Sequence, residues 1–549
     1  MKLDPLNVGD VFIKAMHQMF ADPQQAIENN LELAKNYTNL WNNIAQKLLG
    51  NDVDSLYKGE SKDRRFKDET WEENPGFNFI KQSYYLNSSW IKDITRQVEG
   101  LDPKDSKKLD FYTRVLIDAM APTNFFLSNP EVIKETVKTH GANILKGAQN
   151  FLSDLGRSKG KFQISTTNLK DFEVGRNLAI TPGKVIFQND LIQLLQYSPS
   201  TPTVYETPVL IIPAWINKYY ILDLQPENSY VRWLVAQGYT VFMISWINPN
   251  AMQSNKTFDD YMSEGALAAI SQVCKATGQK EIHCMGYCLG GTLLAATIAH
   301  IKSQKQYCSV KTATFLTSLV DFKEAGDIGV FIDEEQIEFL EKRMSEKGYL
   351  EGNEMAATFS MIRSNDMIWS FYINNYMLGK DPFPFDILYW NADSTRLPAK
   401  MHSFYLRNMY LKNLLVKPNG LTLCKTPIDL HKVDVPVYLL STREDHIAPW
   451  MSTYKATQIY SGPIRFTLTA SGHVAGVANH PDKKKYNYWT NEKLAHTPSE
   501  WFKHAKIHEG SWWLDWNHWA ATKSGEKIAA RKVTNGLEDA PGSFVKVHL

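Results

Sequence analysis

The chain of 549 residues is 43% hydrophobic and 22% charged, ordinary globular usage that allows a large core and excludes wholesale disorder. Lys and Arg number 60 against 59 Asp and Glu, and the resulting net charge of +1 gives no argument for a nucleic-acid partner. Five cysteines are too few and odd in number for a disulfide framework and fit a reducing compartment, and the start Met1-Lys-Leu-Asp-Pro5 lacks a signal-peptide pattern.

Residues 1 to about 165 read as mainly helical. Phe12, Met16 and Met19 recur at helical spacing, and the pattern continues from Ala26 to Leu49. A charged stretch from Asn51 to Asn74 follows, with Pro75-Gly76 as a breaker. Further helices are predicted in Ile80–Val98, Phe111–Met120 and from Pro130 through Lys138. The polar run Gly156–Lys161 is the predicted domain boundary. No apolar run reaches the roughly 18 residues of a membrane helix, so a soluble intracellular protein is expected.

From about 170 short apolar strands alternate with helices. Strands are predicted at Pro208–Ile212, Thr240–Trp246, Ile282–Met285 and Ala313–Leu319, then at Val435–Ser441 and Ile464–Thr469. Helices fall between them: one capped by Asn228 and ended by Gly238, one over Tyr261–Thr277 closed by Gly278, and one over Thr292–Ile301. Near-continuous apolar strands are those of a parallel sheet covered on both faces. The long gap after Leu319, with helical patterns at Glu334–Lys347 and Met361–Met377 and a loop-like Asp381–Leu397, reads as an insertion capping the sheet's carboxyl edge.

The strand Ile282–Met285 runs into Gly286-Tyr287-Cys288-Leu289-Gly290-Gly291, and a helix follows. This is the G-x-S-x-G nucleophile elbow with Cys in place of Ser. Glycines leave room for a sharp strand-to-helix turn, and the helix amino terminus favours thiolate over thiol. The N–H of Leu289 then points at a developing oxyanion. The bland alternative, a small buried hydrophobe, is the preferred reading for Cys274, Cys284, Cys308 and Cys424.

Such a nucleophile needs an acid and a histidine later in the chain. Asp445 follows the strand ending at Ser441, and His473 follows the last strand with Gly472 before it. Glu444 and His446 are the alternatives; the run Asp-His-Ile-Ala-Pro favours Asp445, and the place after the last strand favours His473. The expected fold is α/β, of the α/β-hydrolase kind. It comprises a mainly helical amino-terminal domain over 1–165 and a catalytic domain over 166–549, with a cap insertion over about 320–430.

Several stretches together resemble the polyhydroxyalkanoate synthases. They are Pro208-Val-Leu-Ile-Ile-Pro-Ala-Trp-Ile-Asn-Lys-Tyr-Tyr-Ile-Leu-Asp-Leu224, the Gly-Tyr-Cys-Leu-Gly-Gly box, Gly329-Val-Phe-Ile-Asp333, Trp390-Asn-Ala-Asp-Ser-Thr395, Glu444-Asp-His-Ile-Ala-Pro-Trp450 and Ser471-Gly-His-Val-Ala-Gly476. Asp63-Arg-Arg-Phe-Lys-Asp68 and Ala540-Pro-Gly-Ser-Phe544 also look like members of that family, and the length resembles its single-component class.

The resemblance implies polymerisation of (R)-3-hydroxyacyl-CoA, 3-hydroxybutyryl-CoA foremost, with release of CoA and no metal or redox cofactor. It implies a homodimer in the cytoplasm at the surface of polyester granules, with the growing chain and granule-associated proteins as partners and no nucleic acid. Leu289 supplies one oxyanion donor, and a second is expected from the backbone near Trp215–Ile216, with Ile216 as the choice. Asn217, Arg363 and His446 are expected CoA contacts, with a solvated or salt-bridged Arg363 as the alternative; Lys483–Lys485 reads as solvated surface. Seven of the 15 Trp lie in the last 100 residues. Trp512, Trp516 and Trp519 share a helix face, either as core packing or as a surface for polymer or a dimer partner.

Overall fold

The computed structural model describes residues 8–59, 63–157, 163–304, 308–533 and 535–548, so the start of the chain and most of the predicted boundary run lie outside the described residues. The chain forms two compact units, one of Met1–Asn168 with Phe359–Phe383, the other of Leu169–Thr358 with Pro384–Leu549.

The first unit is helical. Four of its helices share one start signal, Asp or Asn followed by Pro: Pro23–Leu48, Pro75–Arg96, Pro103–Ala119 and Pro130–Lys138. Proline has no N–H to leave unpaired in the first turn, and the preceding side chain accepts an exposed backbone N–H instead. Asp22, Asn74, Asp102 and Asn129 do so at 2.8–3.0 Å. Pro75-Gly76, expected as a breaker, therefore begins a helix. Residues 359–383, inside the span expected as cap, cluster with this unit. There the Tyr376 hydroxyl donates to Asp154 at 2.6 Å, and Asn143 Nδ2 donates to the Met377 carbonyl at 2.9 Å. Among the described residues no helix is long and apolar enough to cross a membrane.

The second unit is built on one sheet. Its strands are β1 (Gly183–Gln188), β2 (Ile192–Tyr197), β3 (Val209–Ile212), β4 (Val241–Trp246), β5 (Glu281–Tyr287), β6 (Ser309–Leu316), β7 (Val437–Thr442), β8 (Ile464–Thr469), β9 (Asn487–Thr490), β10 (Lys506–Glu509) and β11 (Glu538–Asp539). They lie in the order β10-β9-β8-β7-β6-β5-β3-β4-β2-β1-β11. The strands from β8 through β4 run parallel, and the flanking ones are antiparallel. β3, β4 and β7 are buried at every position, which is why they read as unbroken apolar runs. The chain winds one way from β3 to β4 and the other way from β5 onward, leaving a crevice at the carboxyl ends of β3 and β5.

Two local details differ from the sequence expectations, and a third realises one of two. The helix Tyr230–Ala236 is capped by Ser229, whose hydroxyl accepts the Arg232 N–H at 2.9 Å; Asn228 instead donates to Asp386 at 2.5 Å. Cys274 and Cys308, expected as separate core residues, are joined, with Cα atoms 6.4 Å apart; Cys284, Cys288 and Cys424 are free. The last turn of the helix Ala268–Thr277 and the start of β6 bring that pair together. The Trp-rich end is a helix, Trp512–Ala521, with Trp512, Trp513 and Trp516 buried in the sheet's core, while Trp519 packs on the Tyr438 ring at 5.4 Å.

Candidate active site

Cys288 stands between β5 and the helix Leu289–Ser303, with φ +52° and ψ −119°. A non-glycine residue there is strained, and strain of this kind marks functional turns. The turn is held by a hydrogen bond from the Cys288 N–H to the Leu316 carbonyl at 2.9 Å. The glycines around it answer to sterics. A Cβ on Gly286 would lie 2.6 Å from the Gly291 nitrogen, and one on Gly290 would overlap the Ile212 carbonyl and lie 2.8 Å from that of Pro213. The elbow therefore abuts the backbone leaving β3.

Gly290→Ala would force backbone against backbone where neither side gives. We expect a stability loss of about 3 kcal/mol, read as a lower urea midpoint at unchanged slope. A midpoint equal to wild type would contradict this packing.

His473 lies beyond β8 and Asp445 beyond β7. His473 Nδ1 is 2.7 Å from Asp445 Oδ2, both side chains being buried. Asp445 is fully engaged: Oδ1 accepts the N–H groups of Ile447 and Ala448 at 2.9 and 2.8 Å, and Oδ2 accepts the Thr442 hydroxyl at 3.1 Å. Glu444, the alternative acid, is exposed. Burial alone would push the His473 imidazole below its ordinary pKa, but the Asp445 carboxylate and the nearby Cys288 sulfur outweigh it and hold the value well above. The Tyr287 ring lies against His473, centroids 5.7 Å apart. The indoles of Trp512 and Trp513 donate to carbonyls of Gly476 and Val477 at 2.9–3.2 Å. The Trp helix thus anchors the turn that carries His473.

The structure also gathers residues that the sequence reading missed. Tyr405 and Tyr410 lie within electrostatic reach of the Cys288 sulfur; burial pushes both phenols up, joined at Tyr405 by Tyr410 and then that sulfur, and at Tyr410 by that sulfur. They pack against Phe322 at 5.8 and 4.9 Å. Leu406–Leu411 forms wide π turns, and an i, i+5 pair shares a face only in such a helix, so an α-helical reading of the sequence separates the two tyrosines.

Leu289 follows Cys288 directly, and Ile216 sits on the loop after β3 that meets the elbow. On the same loop Asn217 bridges to Ser394, and its Oδ1 is buried with no hydrogen-bond partner. His446 adjoins Asp445. Arg363 belongs to the first unit, where it pairs with Asp366 through Nε at 2.9 Å and a second contact. Lys483–Lys485 are exposed, as expected of solvated surface, and Lys483 also hydrogen-bonds Asn228.

The comparisons agree with this architecture. A family model described as the poly-beta-hydroxybutyrate polymerase (PhaC) N-terminus matches residues 62–234, and one described as the alpha/beta hydrolase fold matches residues 207–477. The chain is 43% identical, over 97% of its length and 88% of the relative, to the poly(3-hydroxyalkanoate) polymerase subunit PhaC of Rhizobium meliloti (strain 1021). It is 42% identical to that of Rhizobium etli over 99% of this chain and 87% of the relative. With that of Cupriavidus necator the identity is 39% over 95% and 89%. Identity of this extent over nearly the whole of each chain, on an α/β-hydrolase sheet, makes the chain a member of the poly(3-hydroxyalkanoate) polymerase family.

Proposed function

We propose that this chain polymerises (R)-3-hydroxyacyl-CoA, 3-hydroxybutyryl-CoA foremost, through a covalent thioester on Cys288. The observation that carries the reading is the Cys288–His473–Asp445 array, with its 2.7 Å His–Asp contact at the carboxyl ends of adjacent strands. His473 takes the thiol proton, and the Cys288 thiolate attacks the substrate's thioester carbonyl. The oxyanion is met by the N–H groups of Leu289 and Ile216. The C–S bond to CoA breaks, the acyl group stays on Cys288, and CoA leaves with the proton from His473. Thioester exchanged for thioester is nearly isoenergetic, so the acyl group keeps its activation. The 3-hydroxyl of another unit then attacks it. His473, held by Asp445, receives the hydroxyl proton, the new ester forms, and Cys288 is freed.

Asn217 and His446 are the CoA contacts in this reading. Asn217 Oδ1 is a buried acceptor awaiting a donor such as a pantetheine amide N–H. No cofactor is required beyond the CoA of the substrate. The product is an apolar polyester, so the enzyme works at the surface of the granule it makes, as a homodimer, with the helical first unit meeting granule-associated proteins.

Product analysis tests the reading. Purified protein given (R)-3-hydroxybutyryl-CoA is expected to release CoA and form insoluble polyester, measured by thiol titration and by gas chromatography after methanolysis. Free 3-hydroxybutyrate without polymer would make it a thioesterase.

A further inference from the structure

The loop that carries Ile216 does not hold itself in place. It leaves β3 beside the elbow and is fastened from outside by the segment 390–396. The Trp390 indole donates to the Lys218 carbonyl at 2.7 Å, and the Thr395 hydroxyl donates to the Trp215 carbonyl at 3.0 Å. Asn217 and Ser394 form an antiparallel bridge. These ties flank Ile216 on both sides.

At the centre of the fastening lies Asp393, its side chain 6% exposed. It accepts from Lys218 Nζ at 2.6 Å, from the Tyr220 hydroxyl at 2.9 Å and from His548 Nδ1 at 3.0 Å. Lys218 is buried as well, at 3%. A buried ammonium left without its carboxylate is strongly unfavourable, so Lys218, and the loop it belongs to, must follow Asp393. The third partner comes from the carboxyl end of the chain. That end has a second hold on the same segment: Asn248 donates to the Val547 carbonyl at 3.3 Å and accepts the Arg396 N–H at 3.1 Å.

We propose that Asp393 is a positioning residue of the polymerisation: through Lys218 it sets the loop that aims the Ile216 N–H, and His548 latches the end of the chain onto it. This rests on the thioester reading above, since only an oxyanion at Cys288 gives that loop a catalytic task. Asp393 touches no reacting atom, so its loss misaims one donor while the thiolate stays intact.

The test separates the two. Full-length wild type, Asp393→Asn and His548→Gln are assayed with (R)-3-hydroxybutyryl-CoA, and alkylation of Cys288 by iodoacetamide is followed by mass spectrometry. Alkylation needs the thiolate but builds no oxyanion. For Asp393→Asn we expect kcat to fall on the order of 10-fold, short of the ~100-fold cost of deleting a whole donor, with the alkylation rate within about twofold of wild type. His548 is half-exposed, so His548→Gln does not threaten folding; the same split at roughly threefold is expected. An unchanged kcat in Asp393→Asn, or alkylation slowing in step with kcat, overturns the proposal. Should Asp393→Asn fail to fold, wild-type kcat in His548→Gln overturns it. If alkylating Cys288 leaves wild type active, the thioester reading falls and this one with it.

Discussion

Cys288→Ala is expected to lower CoA release from (R)-3-hydroxybutyryl-CoA by at least ~10⁴-fold, because loss of a nucleophile removes the whole covalent route. No other thiol stands in. Burial pushes the Cys284 thiol far up, and burial with Asp259 pushes the Cys424 thiol up to about 11, so neither supplies thiolate near neutral pH. Cys274 and Cys308 are bonded to each other. The fold should be indifferent. Cys288 is only partly buried, and alanine keeps the φ of +52° at similar strain. A stability change within about 1 kcal/mol is expected from losing one sulfur atom there. Thiol titration gives the rate, and a thermal melt on the same sample gives the stability. Release within tenfold of wild type, from a protein that melts normally, would sink the assignment of Cys288.

The proposed triad was legible from local features. Cys288 lies in a strand–turn–helix whose glycines are demanded by backbone contacts, and Asp445 and His473 each follow a short apolar strand. Strand ends are local properties, so three residues up to 185 positions apart fall into place once the parallel sheet is recognised. Other features are not local. β1 and β2 were missed although Gly183-Lys-Val-Ile-Phe-Gln188 has strand composition, and β9 to β11 are short strands at the two ends of the sheet without a full apolar run. The choice between Asn228 and Ser229 as cap turns on Asp386, which draws the Asn228 amide away. The Cys274–Cys308 pair depends on how a helix end meets a strand start. The Lys218–Asp393–His548 cluster joins residues 175 and 155 positions apart, with no spacing that announces it. The sequence did carry both readings of the Trp cluster; three buried indoles, two tied to the carbonyls after His473, realise the packing one.

Asp445→Asn should cost nearly as much as the loss of Cys288. Asparagine keeps the shape, and its carbonyl can still accept the Ile447 and Ala448 N–H groups that Asp445 Oδ1 accepts. Its amide nitrogen then faces His473 Nδ1. A donor there forces the imidazole to carry its proton on Nε2, the nitrogen that must accept from Cys288. A fall in kcat of about 10⁴-fold follows from the wrong tautomer. The same substitution has a pH signature in stability. In the folded protein the His473 pKa is raised above its unfolded value near 6.5, so the imidazolium–carboxylate pair stabilises fully below about pH 6.5 and loses that contribution as pH rises through the folded value. The variant lacks the carboxylate that raises it. The gap in Tm between wild type and Asp445→Asn should therefore be widest near pH 6 and narrow toward alkaline pH, measured by calorimetry in matched buffers. A gap that widens with pH, or a kcat loss under tenfold, would mean that Asp445 does not hold His473 in its charged form.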